Sequence, residues 1–247
     1  MGIVFAAMIG WLCGVVVNYL ADVLPVTRKF SPPACLACGN HFSALDTLLL
    51  RPCSACTKAR SRRTWIVQAS LMVASVLLWL FPPGRLGFWV GIGLLAFFGM
   101  IAVIDLEYRL VLHPVSLAGA IIGLILGIWQ KGPVDTLIGG IAGFTMMFGL
   151  YYLGILFNRL MSRIRRQEID EVALGFGDVN LAGMVGLMLG WPEIVGGLLV
   201  AILLGGILSG LILIGMAALR RYKALTAIPY APFLLIGAII FLYIPKQ

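Results

Sequence analysis

Two aspartates dominate the chemistry available to this 247-residue chain. Asp178 closes the tetrapeptide Gly175-Phe176-Gly177-Asp178, which opens an apolar run, and Asp105 directly follows the apolar stretch Phe97 to Ile104. A carboxylate held at the margin of a bilayer is costly and marks a functional site by default. Two of them on different apolar segments suit an acid–base pair that shares a proton, the arrangement with which aspartic proteases activate water. The glycines around Phe176 allow a sharp helix entry and let a substrate backbone come close. Taken alone, Gly-x-Gly-Asp reads equally well as an ordinary turn with an aspartate capping the next helix. The second aspartate on the same membrane face favours the catalytic reading.

Cys35-Leu36-Ala37-Cys38 and Cys53-Ser54-Ala55-Cys56 form two Cys-x-x-Cys knuckles. Each knuckle offers two thiolates from one tight turn, and together they complete a tetrahedron close to the four-cysteine zinc pattern. A polar segment of about forty residues buries too little apolar surface to fold alone, so a metal cross-link supplies the missing stability. Two disulfides or a redox dithiol are the competing readings. Four sulfur ligands leave no open position for catalysis, so the expected zinc is structural. Cys13, in the first apolar run, is expected to be a small buried hydrophobe.

Other chemistries are poorly served. With two histidines, His41 and His113, and no His-Glu-x-x-His, a metalloprotease has no ligand set. No Gly-x-Ser-x-Gly elbow and no Walker motif occurs. Of the remaining carboxylates, Asp46 lies in the cysteine segment, Asp135 and Glu193 belong to the opposite side, and Glu168, Asp170 and Glu171 form a solvated connector. Asp22 and Glu107 stay with the aspartate pair. Glu107 is two residues beyond Asp105 and points to a different helix face.

The elements that must position these residues are membrane helices. The chain is 61% hydrophobic and 11% charged, with mean hydropathy +1.04, where a soluble domain carries about 25% charged residues. Apolar runs predict about eight spans, near 3–24, 64–81, 87–104, 115–130, 133–157, 179–190, 194–219 and 228–244. The 179–190 run is short for a span; it either starts earlier or packs against protein rather than lipid. The net charge of +8 gathers in alternate loops. Arg28, Lys29, Arg51, Lys58, Arg60, Arg62 and Arg63 lie in the first, Arg109 in the next, Arg159, Arg163, Arg165 and Arg166 in the third, and Arg220, Arg221 and Lys223 in the fourth. Arg85, Lys131 and Lys246 lie opposite. The positive-inside rule makes the rich side cytoplasmic, the charge serves topology and anionic headgroups, and no nucleic-acid partner is expected. The cytoplasm also disfavours structural disulfides. The first run lacks a basic flank and reads as a permanent helix, not a cleaved signal.

With these features together, the sequence resembles the type IV prepilin peptidase family of membrane aspartic proteases nearly end to end. Gly10-x-x-x-Gly14-x-x-x-Asn18 leading to Leu24-Pro25 is similar to the family's first helix, and the four cysteines to its zinc-binding insert. Asp105-Leu106-Glu107 with Arg109-Leu110-Val111 resembles the first catalytic motif, and Gly175-Phe176-Gly177-Asp178 the second. Ile228-Pro229-Tyr230-Ala231-Pro232-Phe233 resembles the segment that opens the last helix.

The resemblance implies an all-α polytopic membrane protein with a first transmembrane helix (1–24), a small cytoplasmic zinc-binding insert (25–63) and a transmembrane peptidase domain (64–247). It implies Asp105 and Asp178 as the catalytic dyad, with Gly175, Gly177, Pro229 and Pro232 as active-site support and Cys35, Cys38, Cys53 and Cys56 as zinc ligands. One carboxylate acts as general base on water while the other polarises the scissile carbonyl. The implied substrate is a type IV prepilin or pseudopilin, whose basic leader is cut after a glycine at the cytoplasmic face of the bacterial inner membrane.

Many members also methylate the new N-terminus with S-adenosylmethionine. Here Val23 stands where Arg is usual, Gln68 where Glu is usual and Asn180 where Lys is usual, while Leu112-His113 replaces the usual Pro-Asp with Pro114 one place late. These departures spare both aspartates and leave methyl transfer open. His113, a lone histidine, is expected to be a plain interfacial residue. A small transporter or proton channel with intramembrane carboxylates is the rival reading. A non-catalytic assembly factor is another, and in the blandest version the aspartates are helix-end residues solvated by headgroups.

Overall fold

A computed structural model describes residues 1–35, 37–165, 175–218 and 229–244. The connector acids Glu168, Asp170 and Glu171, the basic residues Arg166, Arg220, Arg221, Lys223 and Lys246, and Ile228 lie outside the described residues. Every regular element among the described residues is a helix, apart from an isolated antiparallel bridge between Ala34 and His41. The chain divides into two compact units, Met1–Tyr108 and Arg109–Ile244.

The first unit contains α1 (Gly2–Thr27), a short α2 (Ala44–Leu48) inside the cysteine segment, α3 (Arg62–Leu80) and α4 (Gly87–Tyr108). α1 and α3 pack closely because Gly10 and Gly14 have no side chain. A Cβ at Gly10 would stand 2.6 Å from the Leu71 carbonyl oxygen, and one at Gly14 would stand 2.6 Å from Gln68 Oε1. Small residues admit such approach between membrane helices. Polar side chains then cross the seam: Ser75 Oγ donates to the Ala6 carbonyl at 2.7 Å, Gln68 Nε2 to Trp11 at 2.7 Å and Asn18 Nδ2 to Thr64 at 3.2 Å. α1 also runs past the expected end at residue 24. It carries Pro25 inside its last turn and stops where Arg28 turns left-handed at φ 53°.

The second unit contains α5 (His113–Lys131), α6 (Pro133–Arg165), α7 (Phe176–Leu189), α8 (Glu193–Ala218) and α9 (Ala231–Tyr243). α7 is its core. Fourteen residues rise only about 21 Å, against a hydrocarbon thickness of about 30 Å, and α7 is buried on every face from Asp178 to Leu189. It begins earlier than residue 179 and packs against protein, chiefly α6, α5 and α9. A Cβ at Gly143 of α6 would fall 2.5 Å from the Ala182 carbonyl oxygen. Where α5 ends and α8 begins, the Lys131 ammonium pairs with the buried Glu193 carboxylate.

Six of the described helices (α1, α3, α4, α5, α6 and α8) are long and apolar enough to cross a membrane, and α7 and α9 are shorter apolar helices. Large apolar side chains such as Leu137, Ile141, Leu199 and Ile207 are exposed on the outer helix faces, a surface suited to lipid and not to water. The chain is a multi-pass membrane protein. α6 continues beyond the expected end at 157, to Arg165.

Candidate active site and metal centre

The two cysteine knuckles share one backbone design. The Cys35 N–H donates to Asn40 and the Gly39 N–H to Cys35; eighteen residues on, the Cys53 N–H donates to Lys58 and the Thr57 N–H to Cys53. The fifth residue of each design is left-handed, Gly39 at φ 73° and Thr57 at φ 55°. The sulfurs of Cys35, Cys38, Cys53 and Cys56 all lie within 4.8 Å of one another. Cys35 Sγ is 3.7 Å from Cys56 Sγ, and Cys38 Sγ is 3.5 Å from Cys53 Sγ. Tetrahedral zinc with Zn–S bonds of about 2.3 Å has S···S edges of about 3.8 Å, so the cluster is sized for such a metal. Its electrostatics agree. Backbone N–H groups of Ala37 and Cys38 pull the Cys35 thiol down to about 6, and those of Cys56 and Ala55 lower Cys53. For Cys38, the Asn40 N–H acts to lower the thiol, but the Cys53 sulfur and burial outweigh it and the thiol is pushed up to about 12. One thiol of each knuckle is therefore shifted toward the thiolate form that a metal requires.

The insert is fastened to its own unit by side chains. Trp11 Nε1 of α1 donates to the Leu48 carbonyl at 2.9 Å, and Tyr19 Oη to Ser31 at 2.8 Å. The Arg60 guanidinium lies 3.7 Å from the centre of the Phe42 ring and donates to the Arg51 carbonyl at 3.2 Å.

Asp178 occupies the first turn of α7 and is 8% exposed. Its Oδ2 accepts the Gly175 N–H at 3.1 Å, and its own N–H donates to the Gly175 carbonyl at 3.1 Å. Half of a capping box thus fixes the carboxylate. The two glycines serve different ends. Gly177 is a close-approach residue, since a Cβ there would lie 2.8 Å from Val111 Cβ. Gly175 has φ −80°, open to any residue, so backbone freedom is not its purpose. Phe176 is held edge-on by Phe144 and Tyr151.

Asp105 is 4% exposed and sits in the last turn of α4. Gly91, Leu94, Phe98 and Ile101 precede it on one buried helical stripe. Glu107 leaves that stripe, as its spacing predicts, and is exposed. Its Oε2 accepts Arg63 Nη1 at 2.7 Å while Asp22 Oδ1 accepts Arg63 Nη2 at 2.5 Å.

The remaining positions fall as follows. Pro232 is in the first turn of α9, where its missing N–H costs nothing, and Pro229 lies just before the Tyr230 cap. His113 is exposed at the start of α5. Cys13 is only half-buried, a correction to its expected place inside the core, because its face of α1 is incompletely covered. Gln68 is 1% exposed and committed to the α1–α3 seam. Two residues of interest carried no sequence signal. Arg63 looked like a topology charge, and Tyr230 has a buried hydroxyl with no hydrogen-bond partner, close enough to Asp178 to feel its charge.

Comparison with known proteins gives this arrangement its context. Residues 92–210, a stretch containing both Asp105 and Asp178, match the type IV leader peptidase family. Among the proteins the chain is similar to is the prepilin leader peptidase/N-methyltransferase of Pseudomonas putida, 25% identical over 213 residues, covering 82% of this chain and 68% of that protein. The protein of the same name from Aeromonas hydrophila is 27% identical over 232 residues, covering 87% and 72%. That of Pseudomonas aeruginosa is 27% identical over 219 residues, covering 83% and 68%. No solved structure matches the chain.

Proposed function

We propose that this chain is a membrane aspartic endopeptidase that removes the basic leader of type IV prepilins or pseudopilins, with Asp105 and Asp178 as its dyad. The observation that carries the reading is that each aspartate is buried at the end of an apolar helix, within the stretch matched to the leader peptidase family. Among the described residues the other buried carboxylate, Glu193, is taken by Lys131. One aspartate takes the proton of an attacking water while the other, protonated, polarises the scissile carbonyl and then supplies a proton to the departing amine. Gly175, Gly177, Pro229 and Pro232 shape the helix entries beside Asp178.

The charge asymmetry of the loops supports a bacterial inner-membrane setting, with the dyad and cysteine insert facing the cytoplasm. Cys35, Cys38, Cys53 and Cys56 would hold a structural zinc ion, which cross-links the two knuckles and takes no part in hydrolysis. For S-adenosylmethionine the residues make no comparable case. Gln68, one of the positions that depart from the family pattern, is enclosed between α1 and α3 with its amide given to Trp11, so no step is assigned to that cofactor. Mass spectrometry of the matured N-terminus, with S-adenosylmethionine added, tests the point; an N-terminus one methyl group heavier establishes transfer by this chain.

The dyad is tested with Asp105→Asn and Asp178→Asn in purified protein. Each is expected to cut leader removal by about 10²–10⁴-fold with helical content and thermal unfolding retained. Cleavage at the parent rate by either variant refutes the assignment.

A further inference from the structure

We propose that Arg63 is a positioning residue for Asp105: its guanidinium, clamped between Asp22 of α1 and Glu107 of α4, fixes the last turn of the helix that carries the aspartate. The proposal rests on the reading of Asp105 as catalytic.

The charges involved are misplaced by the rules of a single helix. α3 begins with Arg62 and Arg63 and has no acidic residue in its first turn, although that end of a helix repels cations. α4 ends with Asp105 and Glu107 and has no basic residue in its last turn, although that end repels anions. Just beyond, Arg109 is forced left-handed at φ 52°, a conformation costing a non-glycine residue about 1–2 kcal/mol. Left to itself, this turn would fray. Arg63 brings the two mismatches together. Its Nη1 reaches Glu107 at 2.7 Å and its Nη2 reaches Asp22 at 2.5 Å, with its own side chain 18% exposed. A planar fork bonded at both tips is a rigid brace in a way a lysine is not. A local rule broken on both partner helices, and repaired by one residue, points to a purpose beyond stability. The brace ends two residues from Asp105, so it sets where that carboxylate stands.

Arg63 and Asp22 also line a cleft of about 200 Å³, together with Cys35, Phe42, Lys58 and Arg60. The guanidinium site can thus be reached from outside, which makes rescue by a small cation a usable readout.

The full chain in detergent is assayed with a pilin-type precursor bearing a basic leader. Arg63→Ala is expected to lower kcat by about 10²-fold, the cost of misplacing a reacting group by about 1 Å, with KM within a factor of about two. Added guanidinium should restore part of kcat in Arg63→Ala and none in Asp105→Asn. Glu107→Gln, which keeps the Asp22 contact and the fold, should lower kcat in the same direction. The double variant Arg63→Ala/Glu107→Gln should be no slower than Arg63→Ala alone. Parent kcat in Arg63→Ala or Glu107→Gln, beside an inactive Asp105→Asn, overturns the proposal. So does a change confined to KM, or a loss that guanidinium does not relieve. If Asp105→Asn cleaves normally, the dyad reading itself has failed, and the Arg63 data cannot be mistaken for that outcome.

Discussion

In Met1–Tyr108 the helices approach at Gly10 and Gly14, and the contacts that then fasten them are individual and polar. Ser75, Gln68 and Asn18 cross the α1–α3 seam one bond at a time, Arg63 braces two carboxylates, and four sulfurs gather the insert. In Arg109–Ile244 the contacts are continuous: α7 is enclosed from Asp178 to Leu189 and helices touch backbone to backbone at glycines such as Gly143. The first manner of construction concentrates stability in a few atoms that can be removed singly. The second spreads it along surfaces, where an added atom does more harm than a deleted one.

The largest expected effect is on the insert. Cys53→Ser should abolish metal binding and unfold residues 25–63 while α7 and its neighbours stay folded. Metal content and trypsin cleavage at Arg51, Lys58 and Arg60 report this, and parent zinc content in the variant would sink the four-sulfur site. Acid should reproduce the loss. Because Cys35 is held down to about 6, below the ordinary thiol value, its contribution is complete above that ordinary value and disappears as pH falls through about 6. Zinc content followed through an acid titration checks this, and zinc that acid never releases counts against thiolate ligands.

Next comes Gly143→Leu in the second unit, which pushes a side chain into the Ala182 backbone. A loss of about 3 kcal/mol or more is expected, read as a lowered unfolding temperature; a parent-like midpoint would mean that the α6–α7 contact is looser than described. The smallest effects contrast most sharply. Ser75→Ala removes a seam bond of the first unit and should cost about 1 kcal/mol. Tyr230→Phe removes a buried hydroxyl that has no partner and should be neutral or stabilising by about 1 kcal/mol. If both are equally destabilising, the distinction between the units fails.

What the sequence made legible follows the same division. The long helices announce themselves because a bilayer demands about twenty apolar residues in a row. The four-cysteine cluster is equally plain, since cysteine pairs at that spacing leave few alternatives. The aspartates could be singled out because a carboxylate next to an apolar run is rare. Arg63 could not. Its partners lie 41 and 44 residues away, and among seven basic residues of one loop nothing local distinguishes it. The burial of α7 was an open alternative for a similar reason: a uniformly apolar segment has no face by which to tell protein from lipid. Proline at position 25 suggested a helix end and did not impose one, because a helix loses one backbone bond at proline and can continue when only its last turn follows.

The paired loops of the insert carry one further consequence. Both need a left-handed residue at the same place, but one has Gly39 and the other Thr57, for which that conformation is disfavoured by about 1–2 kcal/mol. The earlier loop is therefore ready-made, whereas the later one holds its shape at a cost that a bound ion would offset. Zinc uptake should proceed in that order, with Cys35 and Cys38 acting as the landing place and Cys53 and Cys56 as the latch.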